Sequence, residues 1–530
     1  MSSRLLSACH AIASRPRLAV LLLGALSSLA YPPFAIWPLG LAALALLIAL
    51  LRAAPGWKSA TLLGWLFGLS HLTVANNWIA TAFTFQAEMP PALGYLAVPL
   101  LCLYLALYPA LAALGAWLLG RGAAPLVFSG VFAACWIVTE WLRSWVFTGY
   151  PWPPLGLMLL GGFDSPGLAL LLPWLGTYAL SGLAIVLAGA ALALVVQRRY
   201  RLFALQGVIV TGAMLFPLGS LPQADGKVRY ALIQPLIPQE EREDPTKFED
   251  QFLRLARLTM PGNDRARLVL WPEAAIPDYL EDGYPQRYYS ARTAGADPEF
   301  ARQRIGMLVG PQSMLLTGLV HLDMGQRDGR TTAVSARNAV STIDGLGRIT
   351  DGYAKAHLVP YGEYLPMREI LEPIGLSRLV AGSIDYQPGP GPQTLDLGRF
   401  GKAGVQICYE IVFSGQVADR ANRPNYIFNP SNDGWFGSWG PPQHLGQARL
   451  RAIEEGLPVL RSTTTGISAV IDANGVVRQY IPSGVADRRE GLVPPAHAPT
   501  LFARLGNALP LGWAMLILVA SLVAMRRRRV

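Results

Sequence analysis

Charged residues are scarce in this 530-residue chain: they make up only 15% of it, whereas 52% of the residues are hydrophobic. A composition this apolar is atypical of a water-soluble globular protein and indicates membrane spans. The formal net charge is +10, but the most conspicuous basic cluster, the arginines at 526–529, directly follows an apolar segment. A membrane-topology signal explains this cluster better than nucleic-acid binding does.

Cysteine is also rare, with four residues in the chain. Cys9 precedes the first apolar segment, while Cys102 and Cys135 lie within apolar segments. Cys408 is therefore the only cysteine in the more polar middle of the chain, and it has no disulfide partner there. A lone cysteine is more often a packing residue than a nucleophile, so its neighbours must decide between these two roles.

The sequence has no recognisable cofactor site. His321, His357 and His444 are far apart along the chain and lack the short spacing of metal ligands. A glycine-rich phosphate-binding loop is absent as well, which argues against nucleotide use. We therefore expect neither a metal ion nor another cofactor.

Long apolar segments, by contrast, are abundant before residue 220 and near the C-terminus. A transmembrane helix needs roughly 20 mostly apolar residues. The candidate spans are residues 17–31, 35–52, 58–82, 92–119, 124–147, 166–197, 202–220 and 506–525. Every second loop between them is basic, as Arg52, Arg121 and Arg198 illustrate, which predicts that these loops are cytoplasmic. Both termini are then cytoplasmic, and the long region after the seventh span is extracytoplasmic.

A proline-rich stretch, GYPWPPLG at 149–156, lies in one of the loops predicted to be extracytoplasmic. Trp145 precedes it and Trp152 lies within it. Because tryptophan is enriched at membrane interfaces, this stretch favours an interfacial anchor.

The pattern divides the chain into three regions. Residues 1–220 form an N-terminal transmembrane domain of about seven helices, 221–505 an extracytoplasmic domain, and 506–530 a closing transmembrane helix with a basic tail. In the middle region, β-rich runs such as VRYALIQ and NYIFNPS alternate with helical patterns. This alternation predicts an α/β sandwich, in which helices cover the sheets.

Three polar residues follow apolar or strand-like runs in the middle region. They are Glu273 in LVLWPEAAIP, Lys355 in YAKAHLVPYGEYLP and Cys408 in GVQICYE. Strand ends in α/β proteins are where functional sites collect. Each residue alone would still be an ordinary surface or packing residue.

Taken together and in this order, the three contexts resemble the nitrilase, or carbon-nitrogen hydrolase, superfamily. The resemblance implies an α-β-β-α sandwich with Glu273 as general base, Lys355 as oxyanion stabiliser and Cys408 as the nucleophile that forms a thioester. The chemistry is consistent, since a carboxylate can accept a thiol proton and an ammonium can hold a developing oxyanion. The resemblance also implies supporting roles for Glu363, Tyr409 and Glu410.

With the apolar spans included, the chain resembles a membrane-embedded branch of that superfamily, the bacterial apolipoprotein N-acyltransferases. Further motifs carry the resemblance, among them IPQ at 237–239, NPSNDGWFG at 429–437 and the long stretch at 443–475. They imply a multi-pass α-helical protein of the bacterial plasma (inner) membrane with an extracytoplasmic nitrilase-like domain. They also imply a membrane phospholipid as acyl donor and the α-amine of the diacylglyceryl-cysteine of an apolipoprotein as acceptor.

Lipid has to reach Cys408, and apolar residues near it are candidates for the entrance. We expect this role for Trp435, Phe436, Leu371 and Ile374. The last two lie in the segment 358–392, which is either a mobile lid or a helix packed on the domain. The chain departs from the family pattern at Glu243, where a tryptophan is common.

Two other functions fit the same pattern. A membrane-tethered nitrilase-type amidase or hydrolase would use the same residues but pass the acyl group to water. An inactive lipid-binding scaffold would need a broken triad, whereas Glu273, Lys355 and Cys408 are all present. The acyltransferase is therefore the leading hypothesis.

Overall fold

The computed structural model describes residues 15–85, 90–220, 226–261, 265–374 and 384–527. Chain contacts divide it into two compact units. One contains the described parts of Met1–Ala80, Ala92–Ser220 and Pro499–Val530, and is here called the helical unit. The other contains the described parts of Thr81–Pro91 and Leu221–Ala498, and is here called the sheet unit.

Helices account for the regular structure of the first unit and for the outer layers of the second. They are α1 (Pro16–Ser28), α2 (Trp37–Ala53), α3 (Trp57–Ala75), α4 (Ile79–Ala82), α5 (Leu93–Leu105), α6 (Leu107–Gly120), α7 (Pro125–Arg143), α8 (Leu172–Leu175), α9 (Thr177–Val196), α10 (Tyr200–Leu215), α11 (Phe248–Thr259), α12 (Gln286–Arg292), α13 (Pro298–Val309), α14 (Arg368–Leu371), α15 (Gly440–Glu455), α16 (Leu501–Leu505) and α17 (Ala508–Arg527).

Each predicted span overlaps a helix or a pair of helices. Within the described residues, four helical stretches are long and apolar enough to cross a membrane: Leu93–Gly120, Pro125–Arg143, Thr177–Val196 and Ala508–Arg527. The helices α1, α2 and α10 are apolar but shorter. Several apolar helices therefore fit membrane spans, as the composition predicts.

The predicted span 166–197 is interrupted. The long helix α9 begins only at Thr177, because Gly176 has φ +73° and separates it from the short helix α8. A left-handed glycine of this kind ends one helix and re-aims the chain into the next. Hydropathy alone does not detect this break.

The proline-rich stretch is buried, so Trp152 is not an interfacial anchor, whereas Trp145 before it is exposed. Residues 151–160 are buried throughout although most of them are irregular or 3₁₀, and Trp152 is 0% exposed. Arg143 donates hydrogen bonds to the carbonyls of Trp152 (3.1 Å) and Pro153 (2.8 Å), and Glu140 accepts one from the Leu155 N–H (2.8 Å). Irregular backbone among apolar helices is tolerated only where its polar groups are satisfied in this way.

The sheet unit contains two six-stranded sheets. In chain order the strands are β1 (Arg229–Gln234), β2 (Leu268–Leu270), β3 (Met314–Arg327), β4 (Arg330–Asp344), β5 (Ile349–Ala354), β6 (Thr394–Asp396), β7 (Lys402–Val405), β8 (Tyr426–Ser431), β9 (Val459–Thr463), β10 (Ser468–Ile471), β11 (Val477–Ile481) and β12 (Asp487–Leu492). The strand orders are β12-β1-β2-β3-β4-β5 and β11-β10-β9-β8-β7-β6.

Each sheet has a parallel centre and antiparallel edges. Strands β1, β2 and β3 are parallel, as are β7, β8 and β9. Every residue of β2, β8 and β9 is buried, which explains why these strands read as continuous runs and not as alternating patterns. The first sheet continues through a long antiparallel hairpin, β3–β4.

Helices cover the outer faces of the sheets. Leu255 of α11 and Ile305 of α13 share one buried apolar cluster with Ile233, Val269 and other residues of the first sheet. The two sheets face each other, since the Ser462 hydroxyl of β9 donates to the Ile233 carbonyl of β1 (2.7 Å). Because α15 packs on β9 and β10, the layers follow the order helix, sheet, sheet, helix that the sequence predicts.

Candidate active site

The three residues singled out from the sequence each follow a strand of the sheet unit. Glu273 lies just beyond β2, Lys355 immediately follows β5, and Cys408 lies three residues beyond β7. All are buried, with exposures of 5%, 1% and 4%. The residues before them are apolar or strand-forming and build the sheets, so the three polar side chains lie beyond the ends of the strands.

Lys355 and two carboxylates form one buried cluster. The Lys355 Nζ lies 2.9 Å from Glu363 Oε1 and 3.5 Å from Glu273 Oε1. Burial lowers the pKa of Lys355, but the charges of Glu363 and Glu273 outweigh it, and the net pKa lies above the ordinary value. The side chain is therefore an ammonium group, as an oxyanion stabiliser must be.

Asn338 of β4 bridges the same two carboxylates. Its Nδ2 donates to Glu273 Oε1 (2.7 Å) and to Glu363 Oε1 (2.8 Å), and its carbonyl accepts from the Lys355 N–H (2.8 Å). The second carboxylate oxygen of Glu273 accepts from the Asn432 main-chain N–H (2.7 Å). Sequence reasoning missed both asparagines, because neither contributes an ionisable group.

Cys408 opens a 3₁₀ turn, Cys408–Val412, and has φ +51°. This left-handed conformation is uncommon for a residue other than glycine and is typical of functional sites. Burial and the negative charge of Glu273 raise the pKa of the Cys408 thiol well above its ordinary value, despite the opposing effect of Lys355. The resting sulfur is therefore a thiol, which would need a base to become a nucleophile.

Glu410 connects the turn that contains the cysteine to the segment that follows the lysine. Its Oε2 accepts from the Ile407 N–H (2.7 Å). Its Oε1 accepts from the Tyr353 hydroxyl (2.7 Å) and from the main-chain N–H groups of Ala356 (2.7 Å) and His357 (3.2 Å). Burial raises the pKa of Glu410 to about 7. The supporting role expected for this residue stays a prediction.

The other expected supporting residue of the turn, Tyr409, is 4% exposed, and its ring meets Phe413 edge-on with centroids 5.1 Å apart. The Glu363 carboxylate also accepts a hydrogen bond from the Val359 N–H (2.8 Å), so it stabilises the loop that follows Lys355. Tyr409 therefore packs against Phe413, whereas Glu363 belongs to the charged cluster around Lys355.

The residues expected at a lipid entrance have separate positions. Trp435 is half-buried and meets Phe85 edge-on at 5.6 Å, while Phe436 is buried and meets His444 edge-on at 5.6 Å. The side chains of Leu371 and Ile374 lie outside the described residues, as do residues 375–383. The entrance role of all four stays a prediction.

Glu243, at the position where the family pattern has an aromatic residue, forms an ion pair with Arg292. The contact is polar and partly exposed, so it stabilises little.

Comparisons with known proteins agree with this architecture. Residues 23–190 match the model of the apolipoprotein N-acyltransferase N-terminal domain, and residues 229–482 match that of carbon-nitrogen hydrolases. The apolipoprotein N-acyltransferase of Rhodopseudomonas palustris is 34% identical over 96% of this chain and 94% of its own length. The chain belongs to the apolipoprotein N-acyltransferase family.

Other members of the family match over similar lengths. The enzyme of Azotobacter vinelandii is 34% identical over 96% of this chain and 94% of its own. Among solved structures, Saccharomyces cerevisiae Nit3, a member of branch 10 of the nitrilase superfamily, is 19% identical and covers 52% of this chain and 93% of its own, with a TM-score of 0.35. Membership in the apolipoprotein N-acyltransferase family and the two-sheet topology together identify the sheet unit as nitrilase-like.

Proposed function

We propose that this protein transfers an acyl chain from a membrane phospholipid to the N-terminal α-amine of a diacylglyceryl-cysteine in an apolipoprotein, through a thioester on Cys408. One observation carries the proposal: a buried ammonium, Lys355, lies between Glu273 and Glu363, and its charge and that of Glu273 act on the Cys408 thiol. Family membership supports the lipoprotein substrate.

In the first step, the sulfur of Cys408 attacks the ester carbonyl carbon of the phospholipid while Glu273 accepts the thiol proton. The carbonyl oxygen becomes an oxyanion, which the Lys355 ammonium stabilises. When the tetrahedral intermediate collapses, the C–O bond breaks. The lysophospholipid leaves as an alcohol after Glu273 returns the proton to its oxygen.

In the second step, the α-amine of the acceptor attacks the thioester carbonyl carbon. Glu273 accepts a proton from the amine, and Lys355 again stabilises the oxyanion. The C–S bond breaks, the new amide is released, and the proton passes from Glu273 to the thiolate of Cys408. The enzyme is thereby regenerated without a cofactor.

The same proposal places the protein in the bacterial plasma membrane with its sheet unit on the extracytoplasmic side. The apolar helices and the basic residues in alternate loops support this orientation. Membrane-impermeant reagents applied to intact spheroplasts should then modify lysines introduced at exposed positions of the sheet unit. Modification only after the membrane is opened would contradict the orientation.

Mass spectrometry of the purified full chain tests the chemistry. Incubation with phospholipid alone should add one acyl group on Cys408, and a diacylglyceryl-cysteine peptide should then remove it and gain the same mass. Release of free fatty acid at a rate that the peptide does not change would indicate a hydrolase. Absence of any adduct under conditions that maintain the folded protein would favour a lipid-binding scaffold.

A further inference from the structure

The main chain at Cys408 is held from both sides by buried side chains. A non-glycine residue at φ +51° persists only where its surroundings determine its conformation. Before the cysteine, the Ile407 N–H donates to Glu410 Oε2 (2.7 Å). After it, the carbonyl oxygen of Cys408 lies 3.0 Å from Nε2 of His444, which is 0% exposed on α15. The sequence spacing of this histidine argues against a metal ligand, and the triad does not include it.

The position of the His444 proton follows from its neighbours. A carbonyl oxygen can only accept, so Nε2 carries a proton whether the ring is neutral or charged. On the other side of the ring, Nδ1 lies 2.9 Å from Asp433 Oδ1 and 3.0 Å from Arg461 Nη2. Arg461 Nη2 also donates to both oxygens of Asp433 (2.8 and 2.7 Å). The ring is therefore fixed in orientation, with its Nε2–H directed at the cysteine.

The same loop also contacts the general base. Asp433 directly follows Asn432, whose main-chain N–H donates to Glu273 Oε2 (2.7 Å). A two-residue segment thus binds the carboxylate of Glu273 through its backbone and the ring of His444 through a side chain. The ring in turn binds the peptide of Cys408. A small change in this connection would alter the position of the sulfur relative to the base.

We propose that His444 is a positioning residue for acyl transfer. Its Nε2–H binds the Cys408 carbonyl, and its contact with Asp433 maintains the position of the thiol relative to Glu273. This inference rests on the proposed function, because it takes Cys408 as the nucleophile. His444 does not exchange a proton with the substrate. It fixes the backbone from which the nucleophile extends.

Two substitutions at this position separate donor geometry from packing. The amide nitrogen of glutamine can occupy the place of Nε2, whereas that of asparagine reaches only as far as Nδ1. His444→Asn should slow acyl-enzyme formation by about 100-fold, the scale of a small misplacement of reacting groups, with the KM for phospholipid unchanged. His444→Gln should stay within about tenfold of the unmodified enzyme, because it retains the hydrogen bond.

The controls distinguish this proposal from the proposed function. His497→Asn makes the same chemical change at an exposed histidine and should react like the unmodified enzyme. Equal slowing in both His444 variants, or normal rates in both, would overturn the positioning role while leaving the acyltransferase intact. Acyl-enzyme formation by Cys408→Ala would instead overturn the proposed function.

A measurement on the unmodified sequence covers the case in which His444→Asn does not fold. Full-length protein labelled with ¹³C at cysteine carbonyls and ¹⁵N at histidine rings should show a dipolar contact between Nε2 and a carbonyl carbon in the solid state. The contact should disappear in Cys408→Ala, where position 408 is unlabelled. Failure to detect it in the folded enzyme would contradict the 3.0 Å hydrogen bond on which the inference depends.

Discussion

One buried charged pair in the helical unit and one buried charged cluster in the sheet unit have different hydrogen-bond partners. In the helical unit, Glu140 and Arg143 are each 4% exposed and satisfy irregular backbone: Arg143 donates to the carbonyls of Trp152 and Pro153, and Glu140 accepts from the Leu155 N–H. In the sheet unit, Lys355 and its carboxylates bond mainly to each other and to asparagines. Charges that satisfy backbone stabilise a fold, whereas charges concentrated around a thiol are available for chemistry.

Substitution of Cys408, the proposed nucleophile, should have the largest effect on the chemistry of the sheet unit. Cys408→Ala and Cys408→Ser should both abolish acyl-enzyme formation, because alanine has no nucleophile and a serine hydroxyl is far less easily activated by a carboxylate. Mass spectrometry after incubation with phospholipid measures the adduct. Folding should persist in both variants. An adduct in either would remove Cys408 from the reaction.

The charged cluster should have the next largest effect. Glu273→Gln removes the proton acceptor and Lys355→Ala the oxyanion partner, the latter costing about 3 kcal/mol, or roughly 100-fold in rate. Single-turnover acylation of the purified variants measures both. Glu273→Asp, which keeps a carboxylate on a shorter side chain, is the matched control and should be less impaired than Glu273→Gln. Near-normal turnover in Glu273→Gln would exclude this residue as the base.

In the helical unit, a comparable substitution should affect stability and leave the chemistry unchanged. Glu140→Ala leaves Arg143 buried without its carboxylate 3.7 Å away, which should lower the free energy of unfolding by about 3–5 kcal/mol. Denaturation in detergent, followed by tryptophan fluorescence, measures the loss. Asn77→Ala changes an exposed polar residue of the same unit and should be near neutral. A reduced acylation rate per folded molecule in Glu140→Ala would contradict the division of roles.

The last expected effect is a pH dependence of the sheet unit. The pKa of Glu410 is about 7 in the folded protein and ordinarily 4.5, so between these values the folded state binds a proton that the unfolded state has lost. Stability contributed by this group is complete below about pH 4.5 and falls by up to roughly 3 kcal/mol as the pH rises through 7. Unfolding midpoints from pH 5 to 8 measure the slope. Glu410→Gln should remove it, and an unchanged slope would assign it to other groups.

Prediction from sequence succeeded where a local pattern carries the information. Hydropathy located the apolar helices, and motifs selected Glu273, Lys355 and Glu363, which the fold brings together. It failed where distant segments meet. Asn338 lies in an unremarkable strand, and only the pairing of β4 with β5 and the approach of β2 place it between two carboxylates. The buried course of 151–160 was missed for the same reason, since tryptophan suits both an interface and a core.

The sequence by itself determined the apolar helices, the α/β sandwich and the family of this protein, because hydrophobic periodicity and long motifs are local properties that survive without coordinates. Only the tertiary structure decided how Cys408, the proposed nucleophile, is held. Cys408 has a left-handed backbone; the Ile407 N–H before it donates to Glu410 of the same turn, and its own carbonyl bonds to His444, which is distant along the chain. A strained main chain needs partners that over-determine it, and the partner on α15 exists only once the helix has packed against the turn.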